Sequence, residues 1–361
     1  MVPSLATLMP DAETVRRRTA WICELFNRAG LGRLFLLQQR KRGRIPILVY
    51  HSVQDIPERT GPESCFMAMG MVVEKNRFEA QMGYLSQYAT VVGLEEVAVS
   101  LSCRKPFPPD AVAITFDDGF HDNFTIVAPI LRKYGFKAAF FPIGSSITSS
   151  GSPWPHGLYR ILDEMESKPF RIDIPGFPRI SGNRLGASEK LRLARRLRLI
   201  LEALQAGERE AAIRRISDAH GFSPGIAGCA GLFMTDAELR LLAREGHTIG
   251  AHTMNHCRLT GLSAREAAEE IKLSRECIAT FGASGFTAFA YPYGSHDSIV
   301  RHVVQQQGFT CALTTAEGLN DRKTDPFALQ RIYIGNFGIA EFETHLSGAA
   351  AFLLRLARKY Y

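Results

Sequence analysis

The sequence predicts an α/β protein built on a parallel sheet, open or closed into a barrel. Short apolar runs bounded by turn residues recur between residues 45 and 315, and stretches of helical periodicity separate them. Strand-helix-strand order of this kind makes the strands parallel and gathers ligand chemistry at their carboxyl ends. The chain has 361 residues, enough for a barrel of roughly 250 residues with additions.

In chain order, residues 12–40 read as one or two amphipathic helices broken at Ala29-Gly30 and followed by the basic run QQRKRGR. Residues 1–44 are therefore an appendage and linker. Its most apolar part, residues 20–37, is interrupted by Glu24, Asn27, Arg28 and Arg33, so it is unsuited to crossing a bilayer but suited to lying on one. The predicted strands are IPILVYHSV (45–53), VAITFDDGF (112–120), KAAFFPIG (137–144), HTIGAHT (247–253), GFTAFAYPYG (285–294) and FTCALTT (309–315). Helical patterns cover residues 76–88, 123–134, 235–245, 263–281 and 298–307. Those opening at Thr235 and Ser263 carry a Glu three residues later, the capping-box signature.

Residues 149–231 break this rhythm. A loop, SSGSPWPHG, and a Pro/Gly-rich piece, IDIPGFPRISGN, precede a basic helical stretch at 188–220. There Leu193, Leu197, Ile200 and Leu204 recur at helical spacing among Arg192, Arg195, Arg196 and Arg198. This is an insertion within a barrel spanning residues 45–340, placed to pack beside the barrel and cover its site. Residues 341–361 read as a C-terminal helix.

A hydrophobic content of 46% and a charged content of 22% exclude a disordered or fibrous chain. The net charge of +7 is concentrated at residues 16–18, 40–44 and 190–215. Such patches suit polyanions or anionic lipid, but no nucleic-acid module accompanies them, so no nucleic-acid partner is expected. Seven cysteines, at 23, 65, 103, 229, 257, 277 and 311, form no C-x-x-C pair, and their odd number points to a reducing compartment. No apolar segment with a small-residue cleavage site opens the chain. A cytoplasmic protein, peripheral to the membrane, is the expectation; the oligomeric state is not readable.

Three short motifs carry chemistry. The strand at 112–120 ends in Asp117-Asp118-Gly119, and since neighbouring strand side chains point to opposite faces, the carboxylates are free to have different tasks. The structural alternative is that they cap the helix that follows. His252-Thr253-Met254-Asn255-His256 puts two imidazoles four residues apart, on one face if the segment turns helically. Two His and one carboxylate make a three-ligand metal set with open positions. Tyr291-Pro292-Tyr293-Gly294 is a turn with aromatic edges.

TFDDG at 115–119, HTMNH at 252–256 and YPYG at 291–294, in that order, resemble the polysaccharide deacetylase family, carbohydrate esterase family four, also called the nodulation-factor deacetylase homology domain. ILVYHSV at 47–53 is similar to the strand that opens the domain in one branch of that family. The resemblance implies a distorted (β/α) barrel holding a divalent metal, as a rule Zn2+, that hydrolyses acetyl groups from amino sugars of a polysaccharide or lipid-linked glycan. It assigns Asp117 as general base, Asp118, His252 and His256 as metal ligands, and the backbone N–H of Tyr293 to the oxyanion. His51, Tyr291 and Pro292 are placed along the substrate. The chain departs from the family pattern in two places. Ala290 stands where an arginine often pairs with the base, and Arg331 stands where a late Leu-x-His strand often supplies the general acid. His51, His296 and His345 are the remaining histidine candidates for the acid, with the metal-bound water or a protonated Asp117 as alternative donors. Alternative readings are a related hydrolase of non-peptide amides on a small or lipid-linked substrate, and a noncatalytic glycan-binding protein that retains the metal site.

Overall fold

The computed structural model describes residues 21–56, 70–148, 153–165, 169–183, 185–204, 206–222, 231–281 and 285–350. The basic residues at 16–18, Cys65, Cys229, the start of the SSGSPWPHG loop and the end of the expected C-terminal helix lie outside them.

Seven parallel strands form the barrel. They are β1 (Ile47–Tyr50), β5 (Ala111–Asp118), β6 (Ala139–Pro142), β9 (Thr248–Ile249), β10 (Ala288–Ala290), β11 (Cys311–Glu317) and β12 (Leu329–Tyr333). The order is β10-β11-β12-β1-β5-β6-β9, and a parallel bridge between Ala251 and Phe289 nearly closes the ring. Between β1 and β5 lie β2 (Ser52–Gln54), β3 (Val72–Glu74) and β4 (Thr90–Val91), the last extending the sheet beside β5.

Alternation along each strand sorts two cores. Ile47, Ala113, Ala139, Phe141, Ala290, Leu313 and Leu329 fill the barrel interior. Leu48, Ile114, Phe116, Phe140 and Ile332 face the surrounding helices. In register, Leu48 lies beside both Ile114 and Ile332, so the parity set by one strand holds across its neighbours.

Helices cover the predicted stretches, and those at Leu94–Ser102 and Gly144–Thr148 lie outside them. They are α1 (Leu31–Lys41), α2 (Lys75–Tyr88), α3 (Leu94–Ser102), α4 (Ala128–Lys133), α5 (Gly144–Thr148), α6 (Trp154–Glu164), α7 (Ala187–Glu202), α8 (Ala206–Ala219), α9 (Asp236–Arg244), α10 (Ala264–Ile278), α11 (Ser298–Gln306) and α12 (Ile339–Leu346). Thr235 and Ser263 cap α9 and α10 with both halves of the capping box formed. The pattern at 123–134 is not one uniform helix: a π-turn over Asn123–Val127 precedes α4. Of the expected helix at 341–361, α12 supplies residues 341–346 and begins at Ile339; Gly348 turns left-handed after it (φ 74°), and residues 351–361 lie outside the described residues.

The inserted unit has its own core. Leu158 and Leu162 of α6, Ile172 and Ile180 of the antiparallel pair β7 (Phe170–Ile172) and β8 (Ile180–Gly182), Leu197 of α7 and Ile213 of α8 pack together. The N-terminal helical residues 21–28 and α1 meet at a turn where Gly30 has φ 72°, as the Ala29-Gly30 break predicts. Asn27 ties this segment to α12 through the Ala340 carbonyl and, at 3.2 Å, the Thr344 hydroxyl. No helix among the described residues is long and apolar enough to cross a membrane.

Candidate metal centre

Every chemistry-bearing motif sits at the carboxyl end of a barrel strand, where parallel architecture leaves a mouth for ligands. His51 follows β1, Asp118 ends β5, His252 follows the bridging Ala251, and the Tyr291 turn follows β10. Asp117 shares the inward parity of Ala113 and Thr115 and is buried. At Asp118 the backbone turns left-handed (φ 71°), and Gly119 follows at φ 75°. A Cβ on Gly119 would lie 2.6 Å from Pro142 Cβ and 2.8 Å from its Cα, which is why the third letter of the motif is glycine. This kink takes Asp118 out of strict strand alternation, so both carboxylates stay buried at the mouth. Neither caps the next helix.

Asp118, His252 and His256 each aim one ligand atom at a common point, with these atoms within 4.8 Å of one another. Asp118 Oδ1 faces His252 Nε2 at 3.5 Å and His256 Nε2 at 3.3 Å. The second ring nitrogens are engaged elsewhere: His252 Nδ1 with the Ala290 carbonyl at 2.8 Å and His256 Nδ1 with the Tyr293 hydroxyl at 3.0 Å. The Ala290 carbonyl can only accept, so His252 Nδ1 carries the proton and its Nε2 lone pair is left for a ligand; His256 Nε2 is left the same way in the tautomer whose Nδ1–H donates to the Tyr293 hydroxyl. Asp118 Oδ1 is buried and has no hydrogen-bond donor among the described residues. A buried carboxylate oxygen without a donor, flanked by two oriented imidazoles, fits a divalent cation.

The two histidines do not converge through a helical turn, as their spacing suggested. Residues 252–256 form a bent loop with left-handed backbone at Thr253 (φ 59°) and His256 (φ 53°). Gly144 and Ser145 of α5 donate backbone N–H groups to the Thr253 and Met254 carbonyls, and Glu270 of α10 holds Asn255. Non-glycine residues in this conformation are costly and persist where surrounding bonds over-determine them.

Electrostatics favour positive charge at this point. Burial pushes the Asp118 carboxyl up, but the facing His156, His252 and His256 imidazoles hold it well below the ordinary carboxylate range. Burial draws His252 down, yet Asp118 and Asp117 lift it above an ordinary imidazole. Burial dominates at His256, which falls to about 4.

Asp117 is held apart from this cluster by Arg331. The guanidinium makes a bidentate pair, 2.7 Å to Oδ1 and 2.6 Å to Oδ2 of Asp117, and its Nε donates to the Thr314 carbonyl at 2.8 Å. Arg331 lies on the inward face of β12 two residues after Leu329 and is 1% exposed. The arginine absent at Ala290 is thus supplied from another strand. Arg331 pairs with Asp117, the carboxylate that the resemblance names as the base. Burial raises the Asp117 carboxyl, but Arg331 outweighs it and lowers the group below its usual value. The sequence signal was a lone cation in the apolar strand LQRIY.

Other expected residues separate. Tyr291 is fully buried, with its hydroxyl donating to the Phe327 carbonyl at 3.1 Å, and Pro292 is buried beside it. Tyr293 turns left-handed (φ 57°), and its ring lies under the Arg258 and Arg198 guanidinium groups at 4.8 and 5.3 Å. His296 stacks on Tyr291, and His345 stacks on Phe337 near Glu317, away from the carboxylate pair. His51 lies within electrostatic reach of Asp117, Asp118, His252 and Arg331, with a buried Nδ1 that has no hydrogen-bond partner among the described residues. His156 of α6, not singled out by the sequence, bonds Asp118 Oδ2 at 3.2 Å.

The sequence model of a family described as polysaccharide deacetylase matches residues 104–174 and 206–312, so its gap falls inside the inserted unit. YxkH of Bacillus subtilis (strain 168), which carries a provisional polysaccharide deacetylase name, is 22% identical over 300 residues, covering 82% of this chain and 74% of that protein. A 41-residue segment, 11% of the chain, is 46% identical to the poly-beta-1,6-N-acetyl-D-glucosamine N-deacetylase of Escherichia coli (strain K12), of which it covers 6%. Among solved structures, the Streptococcus pyogenes deacetylase PplD in complex with acetate superposes with a TM-score of 0.53 at 17% identity, covering 84% of this chain and 98% of that one. IcaB from Ammonifex degensii superposes at 0.52 and 16% identity, covering 85% and 97%. These two likenesses establish the shared barrel.

Proposed function

The chain belongs to the polysaccharide deacetylase family, and from that premise we propose that it is a divalent-metal-dependent hydrolase that removes acetyl groups from the amino sugars of a polysaccharide or lipid-linked glycan. The observation that carries this reading is the division of labour between two adjacent carboxylates. Asp118 is committed with His252 and His256 to a cation site, whereas Asp117 is paired separately with Arg331 and remains a base.

An ion held by Asp118, His252 and His256, zinc by preference for this nitrogen and oxygen donor set, would supply Lewis-acid polarisation of the acyl carbonyl. Asp117, ionised at neutral pH because Arg331 lowers it, accepts the proton of the attacking water. Arg331 fixes the plane of that carboxylate from beneath. The backbone N–H of Tyr293 is assigned to the developing oxyanion, and the Tyr293 hydroxyl keeps His256 oriented. His51 is assigned the return of a proton to the leaving amine. Burial lowers it below an ordinary imidazole, so it rests neutral and acts as a relay: it first accepts the proton that Asp117 took from water and then passes it to the amine, leaving both groups as they began.

The noncatalytic reading rested on a missing arginine and a missing acid. Arg331 beside Asp117 and His51 among the same charges weigh against it. The test is acetate release from acetylated glucosamine oligomers, β-1,6-linked ones included because of the segment shared with the Escherichia coli enzyme. Metal-loaded parent protein should release acetate. Asp117→Asn, which keeps the shape but accepts no proton, should lose about 10²- to 10⁴-fold while retaining its metal. Undiminished hydrolysis by Asp117→Asn would reject Asp117 as the base, and no release of acetate from any acetylated sugar would reject the deacetylase reading.

A further inference from the structure

We infer that His156 is a positioning residue for the ligand Asp118 and that, through it, the inserted unit is part of the metal centre. The inference rests on the metal reading of Asp118, His252 and His256. His156 Nε2 lies 3.2 Å from Asp118 Oδ2, while the opposite oxygen, Oδ1, faces His252 and His256. The side chains of His156 and Asp118 expose 1% and 2%. The His156 ring is wedged edge-on between Phe120, at 5.3 Å, and Phe233, at 5.1 Å, so it cannot swing away without opening that cluster.

With one oxygen donated to, a carboxylate has one plane and one oxygen left for an ion. Without that donor the group can rotate, and a buried oxygen loses its partner. The helix bearing His156 is itself held by the insertion. Trp154, in the first turn of α6, lies under the Arg209 guanidinium of α8 at 5.0 Å, and Arg209 Nε donates to the Leu201 carbonyl of α7 at 3.0 Å. The geometry of the metal centre therefore depends on a unit that no barrel strand contributes to.

The experiment titrates metal-free full-length protein with Zn2+ against a competing chelator and records the visible spectrum of the Co2+ form. His156→Ala should bind one ion about 10- to 100-fold more weakly, the range for loss of an outer partner of a ligand. His156→Gln, which retains a side-chain N–H of similar reach and the least disturbed packing, should recover most of the affinity. The Co2+ spectrum should keep its shape in both, since the ligand set is unchanged. Parent-like affinity in His156→Ala overturns the inference. So does equal weakness in both variants with an altered Co2+ spectrum, which would make His156 a ligand itself. A parent protein that binds no ion overturns the metal reading and this inference with it.

A second, independent observation concerns the N-terminal helices, and we propose that their outer face docks on an anionic lipid surface. Trp21 and Leu25 on the first helix and Leu34 and Leu37 on α1 are 62%, 45%, 60% and 44% exposed, each pair at helical spacing, while Cys23 and Phe26 turn inward at 1% and 8%. Lys41, Arg42 and Arg44 are exposed at the end of the same segment. Apolar anchors with adjacent cations match an interfacial helix on acidic headgroups. Full-length protein should co-sediment with vesicles of phosphatidylcholine and phosphatidylglycerol at low salt, release as salt rises, and ignore phosphatidylcholine alone. Leu34→Glu with Leu37→Glu should abolish binding. Absence from both vesicles overturns the proposal, as does self-association that the same double variant abolishes without any vesicle binding.

Discussion

Replacing Arg331 by Met keeps an unbranched apolar stem and removes the guanidinium charge from the middle of the barrel. The guanidinium and the Asp117 carboxylate expose 0% and 4% of their side chains, so neither can turn to water when its partner is lost. Breaking a buried, bidentate pair from one side costs about 3–5 kcal/mol, against about 1 kcal/mol or less for an exposed pair. The pH dependence follows from the shift at Asp117. In the parent its folded pKa is depressed, so the stabilisation is complete above the unfolded value near ~3.9 and is lost as pH falls through the folded value. In Arg331→Met burial acts without its counterweight, and the folded pKa rises above the unfolded one. The penalty is then largest at pH 7 and shrinks as the carboxyl protonates. Adding Asp117→Asn removes the stranded charge, so the double variant should regain part of the loss, with a coupling of about 1–3 kcal/mol. Equilibrium urea unfolding of parent, both single variants and the double variant, at neutral and mildly acidic pH, measures all of this. An Arg331→Met loss below about 1 kcal/mol at neutral pH, or strict additivity, would refute the buried-pair reasoning.

His51→Gln should lower kcat for acetate release about 10²- to 10⁴-fold with KM and bound metal unchanged; unaltered kcat would remove His51 as the acid. Gly119→Ala places a Cβ 2.6 Å from Pro142 at a φ of 75°, so it should destabilise by at least about 1–3 kcal/mol in urea titrations, and a parent-like midpoint would contradict the turn geometry. His247, 6% exposed, accepts the Ala138 N–H at Nδ1 and has its pKa lowered by burial to about 4. A depressed imidazole contributes stability that is present above its unfolded value near ~6.5 and lost as pH falls toward the folded one. Unfolding free energies should therefore decline between those values, with a shallower decline in His247→Gln; identical slopes would remove His247 from the acid transition.

Much of the site was legible because each motif is local. A β-strand delivers its last residues to one rim, so TFDDG, HTMNH and YPYG name the mouth of the barrel without any knowledge of how the strands meet. The alternation that separates Ala113, Thr115 and Asp117 from Ile114 and Phe116 is equally local. The arginine was not legible in this way. Ala290 suggested that Asp117 lacked a partner, yet Arg331, 214 residues away, points inward from β12 and reaches it past the one intervening strand, β1. His156, 38 residues from Asp118, comes from an insertion whose packing no strand pattern encodes. The convergence of His252 and His256 came from left-handed backbone held by α5 and α10 rather than from a helical turn. Residue identity, periodicity and the order of motifs, all set by neighbours along the chain, determined the fold class and the candidate ligand set. Which charges pair, and which oxygen of Asp118 is left for an ion, were decided by strand register, barrel closure and the docking of the inserted helices, because those distances depend on contacts between segments far apart in sequence.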